Sequence, residues 1–301
     1  MMRPIERLFL GTFLWACCTG PLNAELAEFD GQRAMGHIAK QLDFGPREPG
    51  NLTAKKNTID YIRQTLEPLA DRLTVQSFQA HGLQGSNLWA SFEGDSKTTE
   101  HIMLGAHWDT RPRAEQDPDR RKRRTPIMGA NDGASGVAVL LELAAALAVN
   151  RNSVTVDLVF FDLEDMGDIG GRPYSIGASQ FIAANPFYRP NAGIIVDMVC
   201  DKALSIPREQ YSQTLAAPLM NQLWEIAKRQ KATAFKDQPG TYITDDHLPF
   251  LEAGIPVVDL IHFPFPSYWH SSGDTIDKCS AASLQQVGNV LSDFIGTYGA
   301  D

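Results

Sequence analysis

The sequence has no apolar run long enough to cross a membrane and no excess of positive charge. The first absence excludes a multi-span membrane protein. Acidic residues outnumber basic residues by 36 to 27, for a formal net charge of −9, so the basic face that nucleic-acid binding requires is not expected. There is also no internal repeat and no low-complexity linker. The 301 residues therefore favour one globular domain, and their acidic balance suits an enzyme with neutral or cationic substrates.

Cysteine is also scarce, with four residues in the whole chain and no pair at the CxxC spacing of a metal site. A chain of this size does not need a disulfide framework. Outside the N-terminal segment only Cys200 and Cys279 remain, and they could either pair or stay as buried thiols. Because nothing around them resembles a metal-binding CxxC, we expect free thiols.

Residues 1–24 have the anatomy of a secretory signal peptide. Arg3 and Arg7 give a positively charged start, the mostly apolar run Leu8–Cys18 follows, and small residues lead to Ala24. The apolar run is too short to span a bilayer. An ordinary N-terminal helix is the alternative interpretation, and the signal peptide is the one that we favour.

The N-terminal segment also contains Leu14-Trp15-Ala16-Cys17, which resembles a bacterial lipoprotein box apart from its tryptophan. Lipid anchoring at Cys17 is therefore open. In either case we expect an exported protein, whether periplasmic, secreted or lipoprotein-anchored. Residues 25–301 are expected to form a single catalytic α/β domain.

The rest of the chain alternates between strand and helix patterns. Apolar residues recur with helical periodicity in six segments, namely 30–43, 51–68, Ala134–Val149, Ile176–Ala184, Ser212–Lys231 and Ser280–Thr297. Two strand-like runs, Leu73–Ala80 and Asn87–Phe92, precede four continuously apolar runs, Ile102–Ala106, Val154–Phe161, Gly193–Val196 and Ile255–Ile261. Continuous apolar runs are typical of strands buried on both faces. The sequence therefore predicts a three-layer α/β/α sandwich with a central mixed, mostly parallel sheet.

Polar side chains collect where the predicted buried strands end. Sites in such sheets lie beyond the carboxyl ends of the strands, so these side chains are expected to meet at one edge. They are His107 and Asp109 after the first buried strand, Glu164 and Asp165 after the second, Asp197 at the end of the third, Trp269 and His270 after the fourth, and Asp132 in the Gly129–Gly136 loop.

Carboxylates gathered this closely repel one another, and a bound cation is the natural means of holding them. Mixed aspartate and histidine ligands suit zinc, whereas calcium favours more oxygens and no imidazole. Each residue also has an ordinary interpretation: Asp132 as a helix N-cap, His270 as a hydrogen-bonded surface residue, Trp269 as core. Their joint position at successive strand ends favours a metal site.

With these motifs in hand, the chain from about residue 30 to its C-terminus resembles the zinc-dependent glutaminyl-peptide cyclotransferases, in the bacterial form of the animal-type fold. The fold is shared with two-zinc aminopeptidases and is described as zinc aminopeptidase-like or phosphorylase/hydrolase-like. The motifs of the whole superfamily are His107-Trp108-Asp109, Gly129–Gly136, Glu164-Asp165 and Asp197. Those that favour the cyclase are Asp245–Leu251 with Gly254-Ile255-Pro256, and Pro264–His270, in which Trp269 directly precedes the last ligand.

The resemblance implies a role for each matching residue. Asp132, Asp165 and His270 would bind one zinc, and Glu164 would be the general acid/base. Asp197 and Asp245 would form a supporting carboxylate hydrogen-bond pair, and Asp109 would orient His107. Phe265 and Trp269 would wall the substrate pocket. The animal enzymes also have a pocket tryptophan shortly after the Glu164 position, but Gly167–Pro173 contains none, so that wall is undefined in the sequence.

The implied reaction converts the N-terminal glutamine of a peptide or protein to pyroglutamate with release of ammonia. Zinc would polarise the γ-carbonyl, and Glu164 would move the proton. The alternative is a two-zinc aminopeptidase, because His107 and Asp197 occupy the positions that hold a second metal in those enzymes. A binding module with a degenerate metal site would lack ligands, yet every expected position is filled.

One motif has no place in this scheme. Arg120, Arg121, Lys122, Arg123 and Arg124 form a dense basic run inside an otherwise acidic chain. A solvated loop is the ordinary interpretation, and a proteolytic nicking site is another. The run lies between the His107 strand and the Gly129–Gly136 loop, so it could shape access of substrate to the site.

Overall fold

In a computed structural model, the chain is described over residues 28–94, 99–149 and 153–299. The predicted signal peptide at 1–24 and the lipoprotein box at Cys17 lie outside these ranges. The strands are β1 (Arg72–Ala80), β2 (Leu83–Phe92), β3 (His101–His107), β4 (Thr155–Phe161), β5 (Ala192–Asp197), β6 (Ile206–Arg208), β7 (Phe235–Pro239) and β8 (Val257–Ile261). The helices are α1 (Gly31–Asp43), α2 (Leu52–Leu66), α3 (Ala134–Val149), α4 (Ile176–Ala184), α5 (Gln210–Leu215), α6 (Ala217–Arg229), α7 (Leu248–Glu252) and α8 (Ala281–Thr297).

Six strands form the central sheet in the order β1-β2-β4-β3-β5-β8. The four strands β4, β3, β5 and β8 run parallel, while β1 and β2 are antiparallel to their neighbours. This confirms the predicted mixed, mostly parallel sheet. In register, His107 pairs with Phe161 and Asp197 with Ile261, so the carboxyl ends of the parallel strands are level.

Helices cover both faces of the sheet, which confirms the predicted sandwich. On one face, Gly136 of α3 packs against Ala106 of β3 so closely that a Cβ at this glycine would lie 2.9 Å from the Ala106 Cβ. Side chains alternate between the faces of a strand, so Gly105 and its neighbour Phe161 point the other way. The Phe161 ring there contacts Phe181 of α4 at 5.9 Å between centroids.

The apolar character of α3 agrees with its position between the sheet and the helices α1 and α8. Twelve of its sixteen residues are buried. A Cβ at Gly136 would lie 2.0 Å from the Val196 carbonyl oxygen, so only glycine lets the helix come this close to β5. This contact places the N-terminal end of α3 directly behind the carboxyl ends of the strands. No helix within the described ranges is both long and apolar enough to cross a bilayer.

The structure differs from the predicted elements between residues 200 and 256. The single helix predicted at Ser212–Lys231 is two, because Ala216 leaves the helical region of φ and ψ and Pro218 opens α6. The short parallel pair β6 and β7 was not predicted, since β7 is mostly polar and exposed and lacks a strand pattern. The five-residue helix α7 is too short for apolar periodicity to reveal it.

The prediction of free thiols at Cys200 and Cys279 was wrong, because the two residues form a disulfide. Cys200 follows β5 and Cys279 precedes α8, and a β-bridge between Asp201 and Cys279 brings the two backbones together. Their Cα atoms are 4.6 Å apart, within the range that a disulfide spans. Spacing in the sequence cannot show this proximity, since 79 residues separate the two cysteines.

Replacing both Cys200 and Cys279 by serine is expected to lower the free energy of unfolding by about 2–4 kcal/mol, because the crosslink closes a long loop and restricts the unfolded chain. Urea denaturation under oxidising conditions measures the difference. When the disulfide is reduced, the wild-type protein should unfold at the same urea concentration as the double variant. Equal midpoints for the two proteins under oxidising conditions would show that the disulfide does not stabilise the fold.

Candidate metal centre

Three side chains from three loops converge at the carboxyl edge of the sheet. Asp132, Asp165 and His270 each offer one ligand atom, and these atoms lie within 4.8 Å of one another. The His270 Nε2 atom is 3.3 Å from Asp165 Oδ1 and 3.6 Å from Asp132 Oδ2. All three side chains are buried. The structure thus brings together the three residues that the sequence suggested as ligands of one zinc.

The loop that carries Asp132 is fixed by two buried residues that sequence reasoning did not single out. The Arg47 guanidinium donates hydrogen bonds to the backbone oxygens of Trp108, Met128 and Gly129, at 2.7–2.9 Å. The Asp274 carboxylate accepts from the backbone N–H of Asn131 at 2.8 Å and of Asp132 at 3.0 Å. No sequence pattern marks either residue, because each acts across a long stretch of chain.

The Glu164-Asp165 turn is held by Asp109, whose carboxylate accepts hydrogen bonds from both backbone N–H groups, at 3.0 and 3.3 Å. Leu163, directly before the turn, has a φ of 62°, in the left-handed region that few non-glycine residues adopt. Backbone strain of this kind concentrates at functional sites. Asp109 also lies 3.5 Å from His107 Nδ1, where the sequence placed it as the residue that orients this imidazole.

The imidazole of His270 is oriented by Glu115, another residue that the sequence did not reveal. Glu115 Oε1 lies 3.1 Å from His270 Nδ1, and when Nδ1 donates to it, Nε2 is left as the metal-binding atom. The Arg111 guanidinium bonds to Glu115 Oε1 at 2.7 Å and to the Asp165 backbone oxygen at 3.0 Å. His270 itself has a φ of 48°, again in the left-handed region.

The cluster carries stored electrostatic repulsion that a cation would relieve. Burial, and then the charge of Asp132, raise the pKa of the Asp165 carboxyl to about 6. Burial alone would lower the pKa of the His270 imidazole, but Asp165, Glu115 and Asp132 outweigh it and raise that pKa to about 9. The buried Asp165 Oδ2 atom has no hydrogen-bond partner. Two carboxylates and one imidazole with a free acceptor atom fit zinc and leave a coordination position for substrate.

A second group of potential ligands adjoins the first. His107 Nε2 lies 3.1 Å from Asp197 Oδ1 and 3.3 Å from Asp132 Oδ1, so Asp132 is shared by the two groups. Burial opposes protonation of His107, but Asp197 and the other adjacent carboxylates raise its pKa well above the ordinary value. His107, Asp132 and Asp197 thus form a second group that could hold a metal ion.

Asp197 and Asp245, the expected carboxylate pair, each have another hydrogen-bond partner in the structure. Asp197 Oδ1 lies at hydrogen-bond distance from His107, while Asp245 Oδ1 accepts from the backbone N–H of Asp246 at 2.6 Å. Asp245 Oδ2 is buried without a partner. Both carboxylates still line the pocket that contains Glu164.

Aromatic side chains wall this narrow pocket. The rings of Phe265 and Trp269 are stacked with their centroids 4.5 Å apart and their planes 16° from parallel. Tyr174 also lines the pocket, one residue beyond the stretch Gly167–Pro173 that lacks a tryptophan. Its ring also packs under the Arg111 guanidinium at 5.6 Å. The sequence thus indicated two of the aromatic residues that line the pocket, Phe265 and Trp269, and the third is Tyr174.

Replacing Asp132 or His270 by alanine is expected to remove bound zinc from the protein, because each change deletes one of three ligand side chains. Plasma mass spectrometry after dialysis against a weak chelator measures the metal. Asp43→Ala, at an exposed position at the end of α1, is the matched control and should keep the wild-type zinc content. Full zinc retention by both ligand variants would disprove this centre, provided that their circular dichroism shows them to be folded.

Comparison with known proteins agrees with this geometry. The model of peptidase family M28 matches residues 87–295. A glutaminyl-peptide cyclotransferase-like protein from Bos taurus is 27% identical over 93% of this chain and 81% of its own length. The structure of a Bacteroides thetaiotaomicron glutaminyl cyclase bound to N-acetylhistamine is 33% identical, covering 90% of this chain and 98% of the other, with a TM-score of 0.83.

A zinc-dependent exopeptidase from Parabacteroides distasonis is equally similar in structure. It is 32% identical over 90% of this chain and 99% of its own, with a TM-score of 0.83. The fold is therefore common to proteins named as cyclases and as exopeptidases. The chain belongs to peptidase family M28, and its relatives include glutaminyl-peptide cyclotransferases of animals and glutaminyl cyclases of bacteria.

Proposed function

We propose that this protein is a glutaminyl-peptide cyclotransferase, which converts the N-terminal glutamine of peptides or proteins to pyroglutamate. The observation that carries the proposal is the position of Glu164, a buried carboxyl that lines the pocket beside the Asp132, Asp165 and His270 cluster. Among the described residues that line the pocket there is no serine or cysteine. Cyclisation needs none, because the attacking nucleophile is the α-amine of the substrate. The likeness to cyclases of animals and bacteria supports the same activity.

Asp132, Asp165 and His270 would hold one zinc, which when bound supplies Lewis-acid polarisation of the substrate γ-carbonyl. Glu164 accepts a proton from the α-amine as the new C–N bond forms. It returns the proton to the side-chain amide nitrogen as that C–N bond breaks, and ammonia leaves. Burial, reinforced by the charge of Asp245, raises the pKa of the Glu164 carboxyl well above the ordinary value. A carboxylate with a raised pKa is a stronger base near neutral pH.

The other pocket residues orient the substrate. Asp245 lines the pocket, and its carboxylate is an acceptor for the N–H groups of the N-terminal residue. Asp197, hydrogen-bonded to His107, lines the same pocket and is a further acceptor for the N–H groups of the α-amine. The stacked rings of Phe265 and Trp269 cover the aliphatic part of the glutamine side chain and exclude water.

A two-zinc aminopeptidase is the second candidate, favoured by the His107, Asp132 and Asp197 group, which has the composition of a metal site. In that enzyme Glu164 would activate a water molecule instead of the substrate amine. Incubation with a peptide that begins with glutamine separates the two reactions. The cyclase yields the pyroglutamyl peptide and ammonia, and the aminopeptidase yields free glutamine.

Glu164→Gln is expected to lower the cyclisation rate by about 10²–10⁴-fold, because the amide cannot accept the proton of the α-amine. The zinc content should stay at the wild-type level, since Glu164 is not one of the three ligands. Ammonia release from a Gln-initiated peptide gives the rate. Glu67→Gln makes the same carboxyl-to-amide change at the exposed residue that directly follows α2 and serves as the control. A Glu164→Gln rate near that of the wild type would remove Glu164 from the mechanism.

We also propose that the protein is exported. A disulfide between Cys200 and Cys279 is typical of oxidising compartments outside the cytosol. The signal-like composition of residues 1–24 points the same way. The mass of the mature protein separates cleavage near Ala24 from lipid attachment at Cys17.

A further inference from the structure

The basic run noted in the sequence lies on an exposed loop beside the pocket. Arg120, Arg121, Lys122, Arg123 and Arg124 are all exposed. The stretch 117–124 contains these five cations and only two carboxylates, in a chain with a net charge of −9. This stretch is therefore a local patch of positive charge on an acidic protein.

The loop is tied to the segment that carries the ligand His270. Its two ends meet where the Ile127 N–H donates to the Arg111 backbone oxygen at 3.2 Å. The Gln116 N–H donates to the His270 backbone oxygen at 3.1 Å. The basic run is therefore presented by a closed loop that shares a backbone hydrogen bond with the ligand residue His270.

A second set of bonds connects the loop to Ser272, two residues beyond His270. The Ser272 N–H donates to Asp117 Oδ2 at 2.9 Å, and Lys122 Nζ donates to Ser272 Oγ at 3.3 Å. The Cα atoms of residues two apart are at most about 7.6 Å from each other. The ammonium group of Lys122 is thus held beside the short segment that delivers His270 to the pocket.

Most of the charge in the run is not neutralised by the protein. Arg121 forms an ion pair with Asp119 at 2.8 Å. Lys122 and Arg123 bond to neutral oxygen atoms, the Ser272 hydroxyl and the Asp117 backbone oxygen. Within the described ranges, Arg120 and Arg124 form no ion pair. The loop therefore presents several cations to solvent.

A peptide bound in the pocket can reach these cations if it leaves on the side of Ser272. With the N-terminal residue in the pocket, an extended chain advances about 3.3 Å per residue, so its second to fourth residues lie within about 10–13 Å of the pocket. Electrostatic attraction at physiological ionic strength extends over about 8 Å. The Lys122 ammonium group, 3.3 Å from Ser272 Oγ, lies at a comparable distance from His270, so acidic side chains of a peptide that leaves the pocket past Ser272 can reach the loop.

We propose that the loop with Arg120, Lys122 and Arg124 is a docking subsite for acidic side chains in the residues that follow the N-terminal glutamine of the substrate. The proposal rests on the cyclase function proposed above and names its substrate class. The pocket is lined by carboxylates, which attract the positively charged N-terminus of a free peptide, whereas the loop beside the pocket is cationic. This layout complements a peptide with a positive N-terminus and negative charges behind it, and charge complementarity of this kind raises association rates and selectivity.

The test compares two Gln-initiated peptides, one with glutamate at its second to fourth positions and one with alanine there. Arg120→Glu/Arg124→Glu is expected to lower kcat/KM for the acidic peptide by about three- to tenfold, through KM, as two exposed ion pairs allow. The ratio of kcat/KM values for the acidic and alanine peptides should fall, and in about 1 M salt the wild-type ratio should approach that of the variant. Lys40→Glu/Lys228→Glu changes the net charge equally on α1 and α6, which supply no residue to the pocket, and should leave the ratio unchanged.

Two results overturn the docking subsite: an unchanged ratio in the Arg120→Glu/Arg124→Glu protein, or an equal fall in the Lys40→Glu/Lys228→Glu protein. Both results require that the variant still cyclises the alanine peptide, so that the ratio can be measured. A wild-type protein that cyclises neither peptide would contradict the cyclase function itself. The two failures are therefore distinguishable.

Discussion

At least six buried carboxylates crowd one edge of the sheet, and their mutual repulsion is the constraint that the site depends on. They belong to Asp109, Asp132, Glu164, Asp165, Asp197 and Asp245. Burial disfavours the charged form of each, so every negative charge needs a compensating donor or cation. Asp109 is compensated by two backbone N–H groups, and Asp197 by the His107 imidazole. Asp132 and Asp165 share His270, which leaves the position for a zinc ion as the remaining compensation.

The architecture of the fold follows from the need to hold these charges in place. Parallel strands with level carboxyl ends bring loops from distant parts of the sequence to one edge. The close approach of α3 to β5 at Gly136 fixes the start of the helix beneath Asp132. Two residues outside the pocket then hold the loops in place. Arg47 donates hydrogen bonds to backbone oxygens, and Glu115 is hydrogen-bonded to the His270 ring. The ligands are thus positioned by residues that never reach the pocket, which is how a rigid metal centre is built.

The sequence predicted those features that have a local signature. Continuous apolar runs marked β3, β4, β5 and β8, and the polar residues after each run marked the site. Features that depend on tertiary proximity were not predictable. Cys200 and Cys279 meet only because β5 and the start of α8 adjoin. The bond from Glu115 to His270 and those from Arg47 to the Gly129 loop likewise join distant residues. Tyr174 was not predicted, because the resemblance implies a tryptophan in this part of the chain and the fold brings a tyrosine to the pocket instead.

The central claim is that this edge of the sheet holds one metal ion, with His107 and Asp197 bonded to each other rather than to a second ion. Anomalous X-ray diffraction at the zinc absorption edge, on crystals grown with zinc, tests it most directly. The account predicts one anomalous peak, between Asp132, Asp165 and His270. Two peaks about 3.5–4 Å apart, the second of them contacting His107 and Asp197, would contradict it and favour the two-metal peptidase.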